Sequence, residues 1–80
     1  MNSTYERGTE QWPGPGSLTA RELEIARLLT YGLTDAAIGI HLGISVRTAS
    51  KHVENLRDKL NLRSRWQVAE WAVAHGVRDA

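Results

Sequence analysis

The sequence predicts an all-α fold, a four-helix bundle containing a helix-turn-helix, with helices over about residues 20–31, 35–42, 46–60 and 65–75. Three observations point there. From Leu18 onward the apolar residues recur at three- and four-residue spacing, the period of a helix with one face turned inward. Thr19, Thr34, Ser45 and Ser64 each stand just before such a stretch, and Ser and Thr are the side chains that cap a helix N-terminus. Gly32, Gly43 and Gly76 stand where helices must stop, because glycine adopts the left-handed backbone of a C-terminal cap without strain.

The first helix is announced twice. Thr19 and Glu22 form a T-x-x-E capping box, while Leu18 and Leu23 occupy the two positions of a hydrophobic staple. Leu18, Ile25, Ala26, Leu28 and Leu29 then make its inward face, up to Gly32. Thr34 caps a short second helix with Ile38 and Leu42 inward, and Gly43 ends it. Ser45 begins the third helix, "SVRTASKHVENLRDKL", which turns Ala49, Val53, Leu56 and Leu60 to one side and Arg47, Ser50, Lys51, Glu54, Asn55 and Asp58 to the other. A short helix, a turn with glycine and a longer amphipathic helix make a helix-turn-helix. "NLRS" breaks the pattern, and Ser64 with Gln67 offers a second capping box for a fourth helix running to about His75.

That last helix is apolar on more than one face. Val68, Ala69, Ala72 and Val73 are expected to form a homodimer seam, since a domain this small should leave one side of its last helix exposed. The rival expectation buries the helix in the domain's own core, with Trp66 and Trp71 as fillers. Residues 1–17 have no apolar period and end in a Pro/Gly cluster, so they are read as a flexible lead-in to a domain over 18–80.

Composition excludes several functions. Eighty residues, 41% of them hydrophobic, suffice for one small core. Without cysteine there is neither a disulfide framework nor a thiolate metal site. His41, His52 and His75 have no metal-ligand spacing, so no metal or cofactor is expected. No nucleophile and base pair up, and Ser50 with His52 on one helix is not a triad, which argues against an enzyme. No apolar run approaches the roughly 18 residues of a membrane span, nor does the N-terminus carry a signal-peptide core, so a cytoplasmic location is expected. No small-molecule ligand is expected in this domain.

Charge is distributed unevenly. The whole chain carries +1, yet over 45–66 Arg47, Lys51, Arg57, Lys59, Arg63 and Arg65 stand against Glu54 and Asp58, a net of +4. That concentration, on the third helix and the loop after it, is the electrostatic mark of a phosphate-binding element. Double-stranded DNA is the expected partner. Arg47 and Lys51 can approach a guanine edge or a phosphate, and Ser50 can make a short hydrogen bond to a base edge or a backbone oxygen. Asn55 can bond adenine or a phosphate. Glu54 either pairs with Lys51 at i,i+3 or accepts from a cytosine amine. Thr34, Ser45 and Thr48 lie near helix N-termini, where backbone N–H groups favour phosphate oxygens. Lys59, Arg63 and Arg65 are candidate backbone clamps without power to specify sequence.

The stretch "LTARELEIARLLTYGLTDAAIGIHLGISVRTASKHVENLRDKLNLRSR" resembles the helix-turn-helix domain of LuxR-type bacterial transcriptional regulators. The likeness runs from Leu18 to about Val73 and includes Leu18-Thr19-x-Arg21-Glu22, Gly32-Leu33-Thr34, Ile44-Ser45, Arg47-Thr48, His52-Val53, Lys59-Leu60 and Ser64-Arg65. The resemblance implies a third helix in the major groove, a fourth helix pairing two subunits, and His52 beside the groove within reach of phosphate. It implies sequence-specific DNA binding on an inverted repeat, by the output domain of a regulator or by a single-domain regulator, with RNA polymerase as a possible further partner. Three departures stand out. Thr34-Asp35-Ala36-Ala37 replaces a Ser-Asn-Lys-Glu-like opening of the second helix, Gly39 replaces an alanine, and Ala49-Ser50 replaces Val-Lys. Gly39 should weaken its helix by up to about 1 kcal/mol, and loss of the lysine should weaken the grip on DNA. Two alternatives stay open: a helix-turn-helix that binds protein and grips DNA weakly or not at all, and a domain like region 4 of sigma factors.

Overall fold

The computed structural model describes residues 15–79. After a 3₁₀ turn at Pro15–Ser17 come four helices: α1 (Ala20–Thr30), α2 (Asp35–Leu42), α3 (Val46–Leu60) and α4 (Arg65–Ala74). There is no strand among the described residues. Apart from the 3₁₀ turn, the expected flexible lead-in lies outside the described residues. The all-α expectation holds, and α2 and α3 have the expected bounds. The other two end one residue early, as Tyr31 and His75 leave the helical backbone.

All four expected caps form. Thr19, Thr34, Ser45 and Ser64 accept from the backbone N–H of Glu22, Ala37, Thr48 and Gln67 respectively. At Thr19 the box is reciprocal, with the Thr19 N–H donating to Glu22 Oε1 at 2.8 Å. At Ser64 only half of it forms, because the Gln67 side-chain oxygen accepts instead from the Arg63 N–H at 2.6 Å. α3 stops where the sequence placed its end, but through a cap the sequence reading did not name. Asn61 takes φ 57°, and its N–H and that of Leu62 close onto the last carbonyls of the helix. Asparagine is the commonest residue after glycine in this left-handed position.

α1 packs on α4 and α2 on α3, with α1 and α4 each also touching α3. Ile25, Ile38, Leu56, Leu60 and Val68, one or more from each helix, are fully buried where these pairs meet. Burial of each contributes about 1.5–3 kcal/mol. Leu18, Ala26, Leu28, Leu29, Ala49, Val53, Trp71, Ala72 and Val77 complete the core.

Three expectations are corrected here. Val68 and Ala72 are wholly buried in the domain's own core, so they cannot also face a second subunit. Of the two proposed fillers, Trp71 is buried but Trp66 is 72% exposed. The third correction concerns Gly39. A Cβ at that position would stand 2.7 Å from the Ile44 carbonyl oxygen, because the backbone after α2 folds back so that the Ile44 N–H donates to the Gly39 carbonyl at 2.9 Å. Gly39 is therefore the residue that lets the α2–α3 turn close, and its cost in helix propensity is secondary.

Candidate nucleic-acid interface

The outward side of α3 gathers Arg47, Thr48, Ser50, Lys51, His52, Glu54 and Asn55 on one continuous shallow surface. They meet because Ala49, Val53, Leu56 and Leu60 pin the opposite side of the helix into the core. All five residues expected to face a groove (Arg47, Ser50, Lys51, Glu54 and Asn55) are on this surface, with two of the expected phosphate contacts, Thr48 and His52. Arg47, Lys51, Glu54 and Asn55 are exposed, while Ser50 and His52 are half-buried.

Lys51 and Glu54 form the i,i+3 pair, Nζ to Oε1 at 3.4 Å, with side chains 70% and 52% exposed. A pair so exposed holds at most about 1 kcal/mol, so an approaching phosphate can take the lysine from it. Arg47 and Asn55 have no side-chain partner among the described residues.

Ser45 and Thr48 form a hydroxyl pair at the N-terminus of α3, Ser45 Oγ donating to Thr48 Oγ1 at 3.0 Å while accepting from the Thr48 N–H. Thr34 holds the same place on α2. Both caps are exposed, which leaves the positive ends of these helices open to an anion.

The three cations expected to clamp phosphate, Lys59, Arg63 and Arg65, are placed differently from one another. Lys59 donates to Glu22 Oε1 at 3.0 Å, tying α3 to the cap of α1. Glu22 has a carboxyl held below its ordinary value, first by the Thr19 backbone N–H and then by Lys59, against an opposing push from burial. Arg63 is exposed, and its guanidinium is free among the described residues. Arg65 is engaged internally, Nη1 to Asp35 Oδ1 at 2.9 Å and Nη2 to the Leu33 carbonyl at 2.7 Å. Its role as a phosphate clamp would require giving up these bonds. Arg57, absent from the sequence-based candidates, donates to the Arg63 carbonyl at 3.3 Å and steadies the loop.

Asp35 is the residue that sequence reasoning missed. Its Oδ2 accepts the Ser50 hydroxyl at 2.6 Å while its Oδ1 takes Arg65, joining the first turns of α2 and α4 to the middle of the exposed face. The partners lie 15 and 30 positions away, so no local periodicity could announce them. The departure Thr34-Asp35-Ala36-Ala37 was the available signal, together with the serine at position 50.

On α4 the outer stripe consists of Trp66, Glu70, Val73 and Ala74, which are exposed, and half-buried Ala69, together lining a mostly apolar groove. No group of His, Asp or Glu among the described residues could hold a metal ion, and no helix among them is long and apolar enough to cross a membrane.

Residues 16–72 match the family described as bacterial regulatory proteins, luxR family. The chain is 43% identical over 56 residues to the transcriptional regulatory protein LiaR of Bacillus subtilis, a stretch covering 70% of this chain and 26% of LiaR. It is 42% identical over 60 residues to LnrK of the same organism, covering 75% of this chain and 27% of LnrK. To the nitrate/nitrite response regulator protein NarP of Escherichia coli it is 46% identical over 48 residues, 60% of this chain and 22% of NarP. The chain thus spans about a quarter of the length of these curated relatives. With the helix-turn-helix of α2 and α3 inside the matched residues, the chain belongs to the luxR family of bacterial regulatory proteins and is a DNA-binding domain of the transcriptional-regulator type, not an enzyme.

Proposed function

We propose that this domain binds DNA sequence-specifically, with α3 in the major groove, as the output element of a bacterial transcriptional regulator working in the cytoplasm. The observation that carries this is the convergence of Arg47, Lys51, Glu54 and Asn55 on the exposed side of the second helix of the motif, beside two uncovered helix N-termini. Two cations, an amide and a carboxylate on one helix face supply both phosphate attraction and a varied set of donors and acceptors for base edges. Thr34, Ser45, Thr48, His52 and Arg63 would contact backbone phosphates, with Lys59 nearer α1 adding long-range attraction.

The domain acts as a homodimer on an inverted repeat, its half-sites roughly one helical turn apart. The seam is the outer stripe of α4, with Trp66 and Val73 as the apolar contacts and Ala69 allowing close approach. Val68 and Ala72 support that stripe from within.

A gel-shift titration against a selected duplex at two salt concentrations tests the reading. Binding that weakens steeply with salt and favours one sequence is the expected result. Absence of binding at low salt would leave the protein-interaction module as the better account, and RNA polymerase subunits as the partners to try.

A further inference from the structure

We propose that Asp35 fixes the polarity of Ser50, making it an acceptor-only group that selects an exocyclic amine, of cytosine or adenine, at one position of the half-site. The proposal rests on the DNA-binding reading above and adds what one residue reads. A carboxylate has no proton to give, so the proton in the 2.6 Å contact belongs to Ser50 and points at Asp35 Oδ2. Arg65 holds the other carboxylate oxygen at 2.9 Å, and its second nitrogen is anchored on the Leu33 carbonyl, so the carboxylate cannot turn away freely. Short bonds to a charged acceptor are the stronger kind. What Ser50 has left for a ligand is lone pairs.

The consequence is selective. Phosphate oxygens, guanine O6 and N7 and thymine O4 are all acceptors and gain nothing from this hydroxyl, whereas cytosine N4 and adenine N6 present donors in the major groove. Ser50 is half-buried on the same surface as Arg47, Lys51 and Glu54, so its free side faces the ligand. Glu54, one helical turn along, is likewise acceptor-only.

The test is selection of binding sites from a random duplex pool by the full chain, by Asp35→Asn and by Ser50→Ala, with circular dichroism to confirm folding. In Asp35→Asn the amide nitrogen can donate to Ser50 while its oxygen still takes Arg65, which frees the hydroxyl proton to point outward. The unsubstituted chain should enrich cytosine or adenine at one position, Asp35→Asn should move that position toward guanine or thymine, and Ser50→Ala should flatten it by roughly five- to tenfold. Should Asp35→Asn fail to fold, flattening at a single position in Ser50→Ala carries the proposal, and an unchanged motif in Ser50→Ala overturns it. An identical motif in all three proteins also overturns it. A motif absent even from the unsubstituted chain would remove the DNA-binding reading itself, and the proposal with it.

Discussion

Lys51 is held on the exposed side of α3 by a single weak partner. Its bond to Glu54 is long and solvent-exposed, so the pair positions the ammonium without consuming it. Lys51→Ala should weaken operator binding and reduce the steepness of its salt dependence by about one charge; titrations at several salt concentrations measure both. Gly39 carries a second prediction at this scale. By helix propensity alone, alanine would be better by up to about 1 kcal/mol, but the Ile44 carbonyl stands 2.7 Å from where its Cβ must go. Gly39→Ala should therefore destabilise the domain, by about 1–3 kcal/mol, as read from urea denaturation. The sequence made Gly39 look like a defect because the obstructing oxygen belongs to a turn whose closeness no local pattern records. The Lys51–Glu54 pair, by contrast, was one of two readings the sequence offered for Glu54, since a separation of three on a helix brings the two side chains together.

Elements in this fold are defined more sharply at their starts than at their ends. Every N-terminus was readable because a Ser or Thr cap is a side-chain signal; where α3 ends was readable too, but not the left-handed cap at Asn61 that ends it, a backbone conformation that asparagine only tolerates better than most. Asn61→Val should cost about 1–2 kcal/mol and Asn61→Gly little or nothing, a contrast thermal melts can resolve. The cap of α1 adds a pH dependence. Because the Glu22 carboxyl is held low in the folded chain, its contribution is complete above the unfolded value and is lost as pH falls through the folded one. The melting temperature should fall from about pH 5 downward, and Glu22→Gln should flatten that part of the curve. A curve of unchanged shape in the variant would show that other carboxylates dominate.

Across the whole molecule, the core pairs α1 with α4 and α2 with α3, and this decides which face of α4 is left over. Composition alone showed that α4 had more apolar residues than one stripe needs. It could not say which of them the core would take, because that depends on the angle at which α1 crosses it. With Val68, Trp71 and Ala72 taken inward, Trp66 and Val73 remain outside. Val73→Glu should then abolish self-association while leaving the melting temperature of the monomer nearly unchanged, whereas Val68→Ala should cost stability first, about 2–3 kcal/mol. Sedimentation at several concentrations, with and without DNA, distinguishes the two; a chain monomeric under all conditions would exclude the α4 seam.

The close contact at Gly39 bears finally on how such a domain can change. Since backbone meets backbone where α2 turns into α3, and of the outer-face side chains Ser50 adds a tie to Asp35, the tilt at which α3 is presented does not depend on the side chains at 47, 51, 54 and 55. Positions 47, 51, 54 and 55 are thus free to diversify while the scaffold that displays them stays constant. A library randomised there should remain largely folded and yield new binding preferences, whereas randomising 39 should leave only glycine among the folded survivors. New specificity would then arise by exchanging the letters on α3, with the frame that holds them untouched.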